Sequence, residues 1–237
     1  MVEEGGVRRT VEVAVLHQGH VRIEVARALL LMAQEQRVNV LIGFSTEQPT
    51  MGNRCRIVRR FLEGTSMQHA GVPGLADWLL MIDCDNPPNR NPVDAAEWDL
   101  DVVGFPTPMW KVQSSPDRPI IWNFKPLLGG EAQGAPGLRV QEVESIGSGC
   151  ILIARRVLEH PAMKAPFLDE FDEWGTRKFG GDITFCRRAR NAGFRVWAAV
   201  DYPCGHVKEV DLTEIYDLIA NVAREAGSGG NVRLTWD

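Results

Sequence analysis

The stretch WLLMIDCD, residues 78–85, joins a run of five apolar residues to two carboxylates. A short, continuous apolar run is typical of a strand that is covered on both faces. Asp83 ends the run and Asp85 follows two positions later, so both carboxylates can project to the same side of an extended chain. In open α/β sheets, ligands bind at the carboxyl ends of the strands. The segment therefore predicts a strand that presents an acidic pair at a binding edge.

Apolar runs and amphipathic stretches alternate upstream of this segment. Further strands are predicted at residues 11–16 and 38–44, and the helical spacing of apolar side chains predicts helices at 21–36 and 51–63. The order strand, helix, strand, helix, strand is typical of a parallel sheet that is covered by helices.

The second half of the chain has a less regular pattern. Strands are predicted at residues 102–105, 120–124, 141–145, 150–153 and 194–200, and helices at 182–192 and 212–225. No shift in composition marks a second domain. We therefore expect the α/β class: one domain at residues 11–226, with a mixed, mostly parallel central sheet and helices on both faces. Flexible tails are expected at 1–10 and 227–237.

Composition narrows the class of protein without naming an activity. Of the 237 residues, 44% are hydrophobic and 24% are charged, and the net charge of −5 argues against a surface built for nucleic acid. No apolar run approaches the roughly 20 residues of a membrane span. The first ten residues also lack the apolar stretch of a signal peptide. Five widely spaced cysteines indicate reduced thiols, and hence a cytoplasmic protein.

The acidic pair indicates metal chemistry. Two hard oxygen donors at Asp83 and Asp85 suit Mg²⁺ or Mn²⁺, which fill their other positions with water and substrate phosphate. A second interpretation is that the aspartates only begin a polar turn, because the sequence NPPN follows at residues 86–89. Cys84, between the two carboxylates, is expected to point into the core.

Three blocks of the chain together resemble the GT-A-fold nucleotide-sugar glycosyltransferases, in particular the family-2-like enzymes. The first block, RCRIVRRFLE…ADWLLMIDCD at residues 54–85, resembles the segment that ends in the metal-binding Asp-x-Asp of these enzymes. The second, GSGCILIARRVLE at residues 147–159, is similar to their acceptor-side turn and the following strand. The third, GGDITFCRRARNAGFRVW at residues 180–197, is similar to their Glu-Asp-x-x-Phe-Cys-x-Arg helix and the next strand.

The resemblance implies an enzyme that moves a sugar from a UDP- or GDP-sugar to an acceptor hydroxyl with the help of Mn²⁺ or Mg²⁺. The implied metal ligands are Asp83, Asp85 and His206. Asp182 would deprotonate the acceptor, and Arg54 and Asp83 would contact the donor. Topology places base and ribose contacts directly after the first two strands, at His17, Gln18, Ser45 and Thr46. Gly181 departs from the pattern, because many relatives carry an acid there.

Several alternatives remain open. A nucleotidyltransferase would use the same carboxylates and metal, although His17-Gln18-Gly19-His20 is a poor phosphate loop. Gly181 suggests a non-catalytic nucleotide-sugar-binding relative, or a substitute acid from the acidic run at 169–173. Asp182 could also serve as a helix cap. Three tryptophans could stack on a sugar, but packing is the favoured interpretation: Trp110, Trp122 and Trp174. The donor sugar, the acceptor and the oligomeric state have no readable signal.

Overall fold

The computed structural model describes residues 8–46, 50–110, 120–130, 132–135 and 138–208. The chain divides into a compact unit at Met1–His206 and a second unit at Val207–Asp237. The helix predicted at 212–225 and the tail predicted at 227–237 lie outside the described residues. At the other end of the chain, the first strand already begins at Thr10.

Thirteen strands and five α-helices lie within the described residues. The strands are β1 (Thr10–Leu16), β2 (Asn39–Ser45), β3 (Trp78–Asp83), β4 (Val102–Gly104), β5 (Pro108–Trp110), β6 (Ile120–Trp122), β7 (Phe124–Pro126), β8 (Ala132–Ala135), β9 (Leu138–Ile146), β10 (Cys150–Ala154), β11 (Glu170–Phe171), β12 (Arg177–Phe179) and β13 (Val196–Ala199). The helices are α1 (Ile23–Ala33), α2 (Thr50–Glu63), α3 (Thr65–His69), α4 (Arg155–Leu158) and α5 (Gly181–Asn191), with 3₁₀ turns at Pro92–Glu97 and Pro161–Met163. None of these helices is both long and apolar enough to cross a bilayer.

The main sheet has the strand order β2-β1-β3-β10-β4-β13-β9-β7, with β8 paired to β9. Strand β1 pairs in parallel with β2 and β3, and β4 pairs in parallel with β13. The other pairs of this sheet, within the described strands, are antiparallel. The predicted α/β class with a mixed sheet is confirmed, but parallel pairing does not dominate. The antiparallel pairs come from β10, which inserts between β3 and β4, and from β9, which pairs with β13, β7 and β8. The insertion of β10 is a long-range pairing that no local pattern encodes.

The core follows the predicted apolar runs. Every residue of β1, including Glu12, is buried, so both faces of this strand are covered, as its largely apolar sequence predicts. Helix α1 buries Val25, Ala28, Leu29 and Met32, which form the predicted stripe. Helix α2 buries Ile57, Val58 and Phe61, and leaves Arg56, Arg59 and Arg60 exposed.

Arg155 connects the end of α2 to the start of β3 by hydrogen bonds. Its Nη2 donates to the carbonyl oxygen of Phe61 at 2.9 Å, and its Nε donates to that of Ala76 at 2.6 Å. The guanidinium also lies 4.2 Å from the centre of the Phe61 ring. One cation directly after β10 therefore satisfies a carbonyl at the end of a helix that precedes it by about ninety residues.

Three departures from the predicted elements lie in the second half of the chain. The strand predicted at 120–124 is two strands, β6 and β7, separated at Asn123. The strand predicted at 141–145 is the middle of the nine-residue β9. The hairpin of β11 and β12 was not predicted, because strands of two and three residues show no readable alternation.

Candidate functional site

A pocket of about 270 Å³ lies where the carboxyl end of β3 meets the first turn of α5. The turn at residues 147–149, between β9 and β10, forms another part of its wall. Four of the predicted site residues line this single pocket: Arg54, Asp83, Asp182 and His206. The fold thus brings together residues from all three sequence blocks and from the segment after β13.

Arg54 and Asp83 form a tight ion pair in the pocket wall. Nη2 of Arg54 donates to both carboxylate oxygens of Asp83, at 2.6 and 2.8 Å. The arginine side chain is only 7% exposed, and its Nε has no hydrogen-bond partner within the described residues. A buried guanidinium needs a nearby carboxylate to offset its loss of hydration. The structure therefore pairs Asp83 with a permanent cation that the chain itself supplies.

His206 is oriented towards the second aspartate of the acidic pair. Its Nδ1 lies 2.8 Å from the carbonyl oxygen of Pro108, and because a carbonyl only accepts, Nδ1 carries the proton. Nε2 lies 3.7 Å from Oδ2 of Asp85. In the neutral ring this nitrogen has a lone pair, so two electron donors face each other across a gap that a cation can bridge.

The donor set at His206 and Asp85 fits a divalent cation with an incomplete protein shell. Within the described residues, no cluster of three His, Cys, Asp or Glu side chains could hold a metal ion. An imidazole nitrogen and a carboxylate oxygen would leave the other coordination positions to water and to substrate phosphate, which is how Mg²⁺ is commonly bound.

The start of α5 has no space for a side chain at position 181. A Cβ atom on Gly181 would lie 2.0 Å from the carbonyl oxygen of Phe167 and 2.7 Å from Cγ of Met51. The departure from the family pattern at this position therefore has a packing reason. The next residue, Asp182, lines the pocket, and its Oδ1 accepts the N–H of Ile183 at 2.9 Å. The aspartate thus serves the first turn of the helix and also faces the pocket.

Asp169 is a pocket residue that the sequence indicated only as one member of an acidic run. Its side chain is 11% exposed, and its Oδ2 lies 3.8 Å from Nη1 of Arg177. Its Oδ1 has no hydrogen-bond partner among the described residues. An unsatisfied buried acceptor costs about 1–3 kcal/mol, so this oxygen is stabilised when a donor enters the pocket. The turn at β11 and β12 brings Asp169 to the pocket, and the sequence carries no signal for that.

The glycine turn of the second sequence block packs closely against an asparagine. A Cβ atom on Gly149 would lie 2.5 Å from Oδ1 of Asn86, so only glycine allows this approach. The buried Asn86 also donates from Nδ2 to the carbonyl oxygen of Gly205 at 3.2 Å. Asn86 therefore connects the turn after β9 to the backbone beside His206.

The other predicted site residues, including Asp85, lie outside the pocket lining. Ser45 is buried, and its Oγ donates to Oδ1 of Asn53 at 2.5 Å. His17 contacts the exposed Phe44 ring edge-on, with 6.0 Å between the ring centres. Gln18 and Thr46 are exposed. All four predicted base and ribose contacts follow or end β1 and β2, at the same edge of the sheet as Asp83.

The burial of the cysteines and tryptophans tests the remaining expectations from the sequence. All five cysteines are free thiols, and Cys84 is half-buried instead of pointing into the core as expected. Trp174 is 84% exposed, so the packing interpretation is wrong for this residue. Trp122 is 49% exposed, and the side chain of Trp110 lies outside the described residues.

Comparison with solved structures shows a similarity of fold. The chain is similar to A197 from STIV, with a TM-score of 0.52 and 18% identity over 85% of this chain and 86% of that one. It is also similar to GalNAc-T7 with UDP, GalNAc and Mn²⁺, with a TM-score of 0.48 and 9% identity over 85% of this chain and 44% of that one. A third structure is a glycosyltransferase involved in the glycosylation of the major capsid of PBCV-1, with a TM-score of 0.46 and 10% identity over 89% of this chain and 99% of that one. No protein-family model and no curated protein sequence matches the chain. At these identities, the match to A197 shows a shared fold alone.

Proposed function

We propose that the chain is a metal-dependent glycosyltransferase that moves a sugar from a nucleoside-diphosphate sugar to an acceptor hydroxyl. The observation that carries this proposal is the distribution of charge in one pocket. The buried guanidinium of Arg54 and the imidazole of His206, which faces Asp85, line it together with three carboxylates: Asp83, Asp169 and Asp182. Departure of a diphosphate needs positive charge, and deprotonation of a hydroxyl needs a base. The pocket lining supplies groups for both tasks.

The diphosphate would bind beside Arg54 and His206. The guanidinium of Arg54 is already ordered by Asp83, which also offsets its charge, so it would act on the diphosphate as a fixed hydrogen-bond donor. A divalent cation on Asp85 and His206 would neutralise the charge that develops on the leaving phosphate. The Pro108 carbonyl holds the imidazole in the tautomer that such binding requires.

The acceptor hydroxyl would be deprotonated by Asp182. Its carboxylate lies in the pocket and stands at the position where the family resemblance implies a base. Asp169 is the competing base, because its buried Oδ1 is an acceptor with no partner among the described side chains and backbone. Gly181 does not argue against catalysis, since the carbonyl of Phe167 fills the space that an acidic side chain would need.

Thermal shift measurements with nucleoside diphosphates, with and without Mn²⁺, test the donor end of this proposal. We expect UDP or GDP to raise the melting temperature, and Mn²⁺ to increase the shift further, because a ligand that binds only the folded state stabilises it. Asp85→Ala and His206→Ala should remove the Mn²⁺-dependent part of the shift. Leu30→Ala, on the exposed face of α1, serves as the control and should retain it. No shift with any nucleoside diphosphate and Mn²⁺ would contradict the proposal.

Donor turnover then separates the two candidate bases and the two enzyme classes. Release of nucleoside diphosphate from a nucleotide sugar, lost in Asp182→Asn and retained in Asp169→Asn, would support Asp182 as the base. The reverse pattern would assign the role to Asp169. Release of pyrophosphate from a nucleoside triphosphate in the presence of a sugar phosphate would instead indicate a nucleotidyltransferase.

A further inference from the structure

The hairpin of β11 and β12 begins and ends at the wall of the pocket. Asp169, directly before β11, and Gly180, directly after β12, both line the pocket, as does Arg177. All residues at 171–178 are exposed. The side chains of Trp174 and Phe171 are 84% and 60% exposed, although both are large and apolar. Two exposed aromatic side chains beside a polar pocket are a feature that neither the core nor the proposed chemistry explains.

The turn that carries Trp174 is held in one conformation by hydrogen bonds. Oδ1 of Asp172 accepts the N–H of Trp174 at 2.9 Å and that of Thr176 at 2.8 Å. The N–H of Asp172 donates to the carbonyl oxygen of Thr176 at 2.9 Å. Gly175 has a φ of +75°, the left-handed conformation that glycine adopts without strain. A tryptophan on a fixed turn loses little conformational entropy when a ligand covers it.

The base of the hairpin is fastened to α5. Nη1 of Arg187 donates to Oε2 of Glu170 at 2.9 Å, and its guanidinium lies 4.1 Å from the centre of the Phe179 ring. One arginine therefore holds both strands against the helix whose first turn contains Asp182. The position of the indole is thus coupled to the part of the pocket that we assign to the acceptor.

We infer that Trp174 is a binding subsite for the acceptor, and that the acceptor is an uncharged oligosaccharide. This inference rests on the proposed function. An indole face is an apolar platform on which the C–H face of a sugar ring can stack, and exposed tryptophan contributes strongly to recognition. Phe171 widens the apolar surface of the same hairpin.

The length of the acceptor follows from the position of Trp174 outside the pocket lining. Trp174 lies in the turn of the hairpin and does not line the pocket, whereas Asp182 does. An acceptor that covers the indole and also reaches the carboxylate of Asp182 therefore extends beyond the pocket. This favours an acceptor of more than one sugar unit, with the reacting hydroxyl at the pocket end.

The charge of the hairpin selects against anionic acceptors. Residues 169–178 contain four acidic side chains and two basic ones, a net charge of −2. Carboxylates accept hydrogen bonds from sugar hydroxyls, but they repel phosphate, sulfate and sialic acid groups. Neutral glycans are consequently favoured over nucleic acids, anionic lipids and acidic glycans.

A glycan array that displays neutral and acidic mono- and oligosaccharides tests this inference. We expect the full chain to bind a set of neutral oligosaccharides, and Trp174→Ala to weaken that binding roughly tenfold or more. Trp174→Phe keeps an aromatic face and should remain within about threefold of the wild type. Leu30→Ala removes another exposed apolar side chain, from α1, and should have no effect.

Three results would overturn the inference: equal binding by wild type and Trp174→Ala, binding restricted to acidic glycans, or no glycan binding by the wild type. The nucleoside diphosphate and Mn²⁺ thermal shift, measured on the same variants, reports on the proposed function separately. Trp174→Ala should retain that shift, because the indole lies outside the donor end. If glycan binding depends on Trp174 but nucleoside diphosphates do not change the melting temperature, the saccharide site is supported and the proposed transferase activity is contradicted.

Discussion

Replacing Gly181 by alanine adds one methyl group at a position that has no room for it. The new Cβ would lie 2.0 Å from the carbonyl oxygen of Phe167 and 2.7 Å from Cγ of Met51. Met51 can move the end of its flexible side chain. The carbonyl belongs to the backbone directly before the Asp169 segment, and it must retreat from 2.0 Å to at least 3.0 Å. The substitution therefore strains both the packing of α5 and the entry to the hairpin.

The expected loss of stability follows from this geometry. Overpacking a core costs about 1–3 kcal/mol, and a clash with backbone belongs at the upper end of that range. The gain from replacing glycine inside a helix is small here, because Gly181 is the first residue of α5. We expect a decrease of about 3 kcal/mol in the free energy of unfolding. For a chain of this length, the melting temperature should then fall by roughly 6–12 °C.

Urea unfolding followed by circular dichroism measures this loss as a lower midpoint at an unchanged slope. The matched control is Gly43→Ala in β2, where the nearest atom to a new Cβ lies 4.0 Å away, so no loss is expected. A Gly181→Ala protein within about 0.5 kcal/mol of the wild type would refute the packing explanation. In that case the absence of an acid at position 181 would have no packing reason, and it would suggest altered catalysis.

Two further predictions concern buried charges. Arg54→Met should cost about 2 kcal/mol, because it removes two charge-assisted hydrogen bonds to Asp83, whose side chain is 28% exposed and can be hydrated. Adding Asp83→Asn should recover part of this loss in urea unfolding, and strictly additive effects would contradict the ion pair as described. Burial raises the pKa of the Glu12 carboxyl above its ordinary 4.5, although Ser66 and Arg155 lower it. The folded chain therefore binds this proton more tightly than the unfolded chain, and stability is lost as pH rises from 4.5 through the raised pKa. Glu12→Gln removes this titration. The unfolding free energy of the variant minus that of the wild type should therefore be larger at about pH 7 than at about pH 4.5. An equal difference at both pH values would contradict the prediction.

The parts of the fold that were predictable are those with a local signal. Strand β3 carries a continuous apolar run, β1 a largely apolar one interrupted at Glu12, and α2 a stripe of apolar side chains, so each was placed within a few residues. The insertion of β10 between β3 and β4 was not predictable, because antiparallel pairing over about seventy residues depends on the closed core and not on a local pattern.

The residues of the candidate site also divide into those with a local sequence signal and those without one. Asp83 and Asp182 were found because each stands at the boundary of a readable element. Asp169 was not singled out, because only the fold of a short hairpin turns this acid of the run towards the pocket. The partner of Asp83 was also not foreseen. Helical spacing places Arg54 on α2, but the ion pair across to β3 depends on how the two elements pack.

The contacts of Arg155 and β10 have a consequence for the order in which the chain is synthesised. While the ribosome has released only the first half of the protein, β3 has no partner on the side that β10 will occupy. The carbonyl oxygens of Phe61 and Ala76 also lack the guanidinium that later satisfies them. A nascent chain shorter than about 155 residues thus exposes an apolar strand edge, a hazard for association with other chains. The repeated strand–helix pattern of the first half looks self-sufficient, but we expect it to remain open until residues 150–155 emerge.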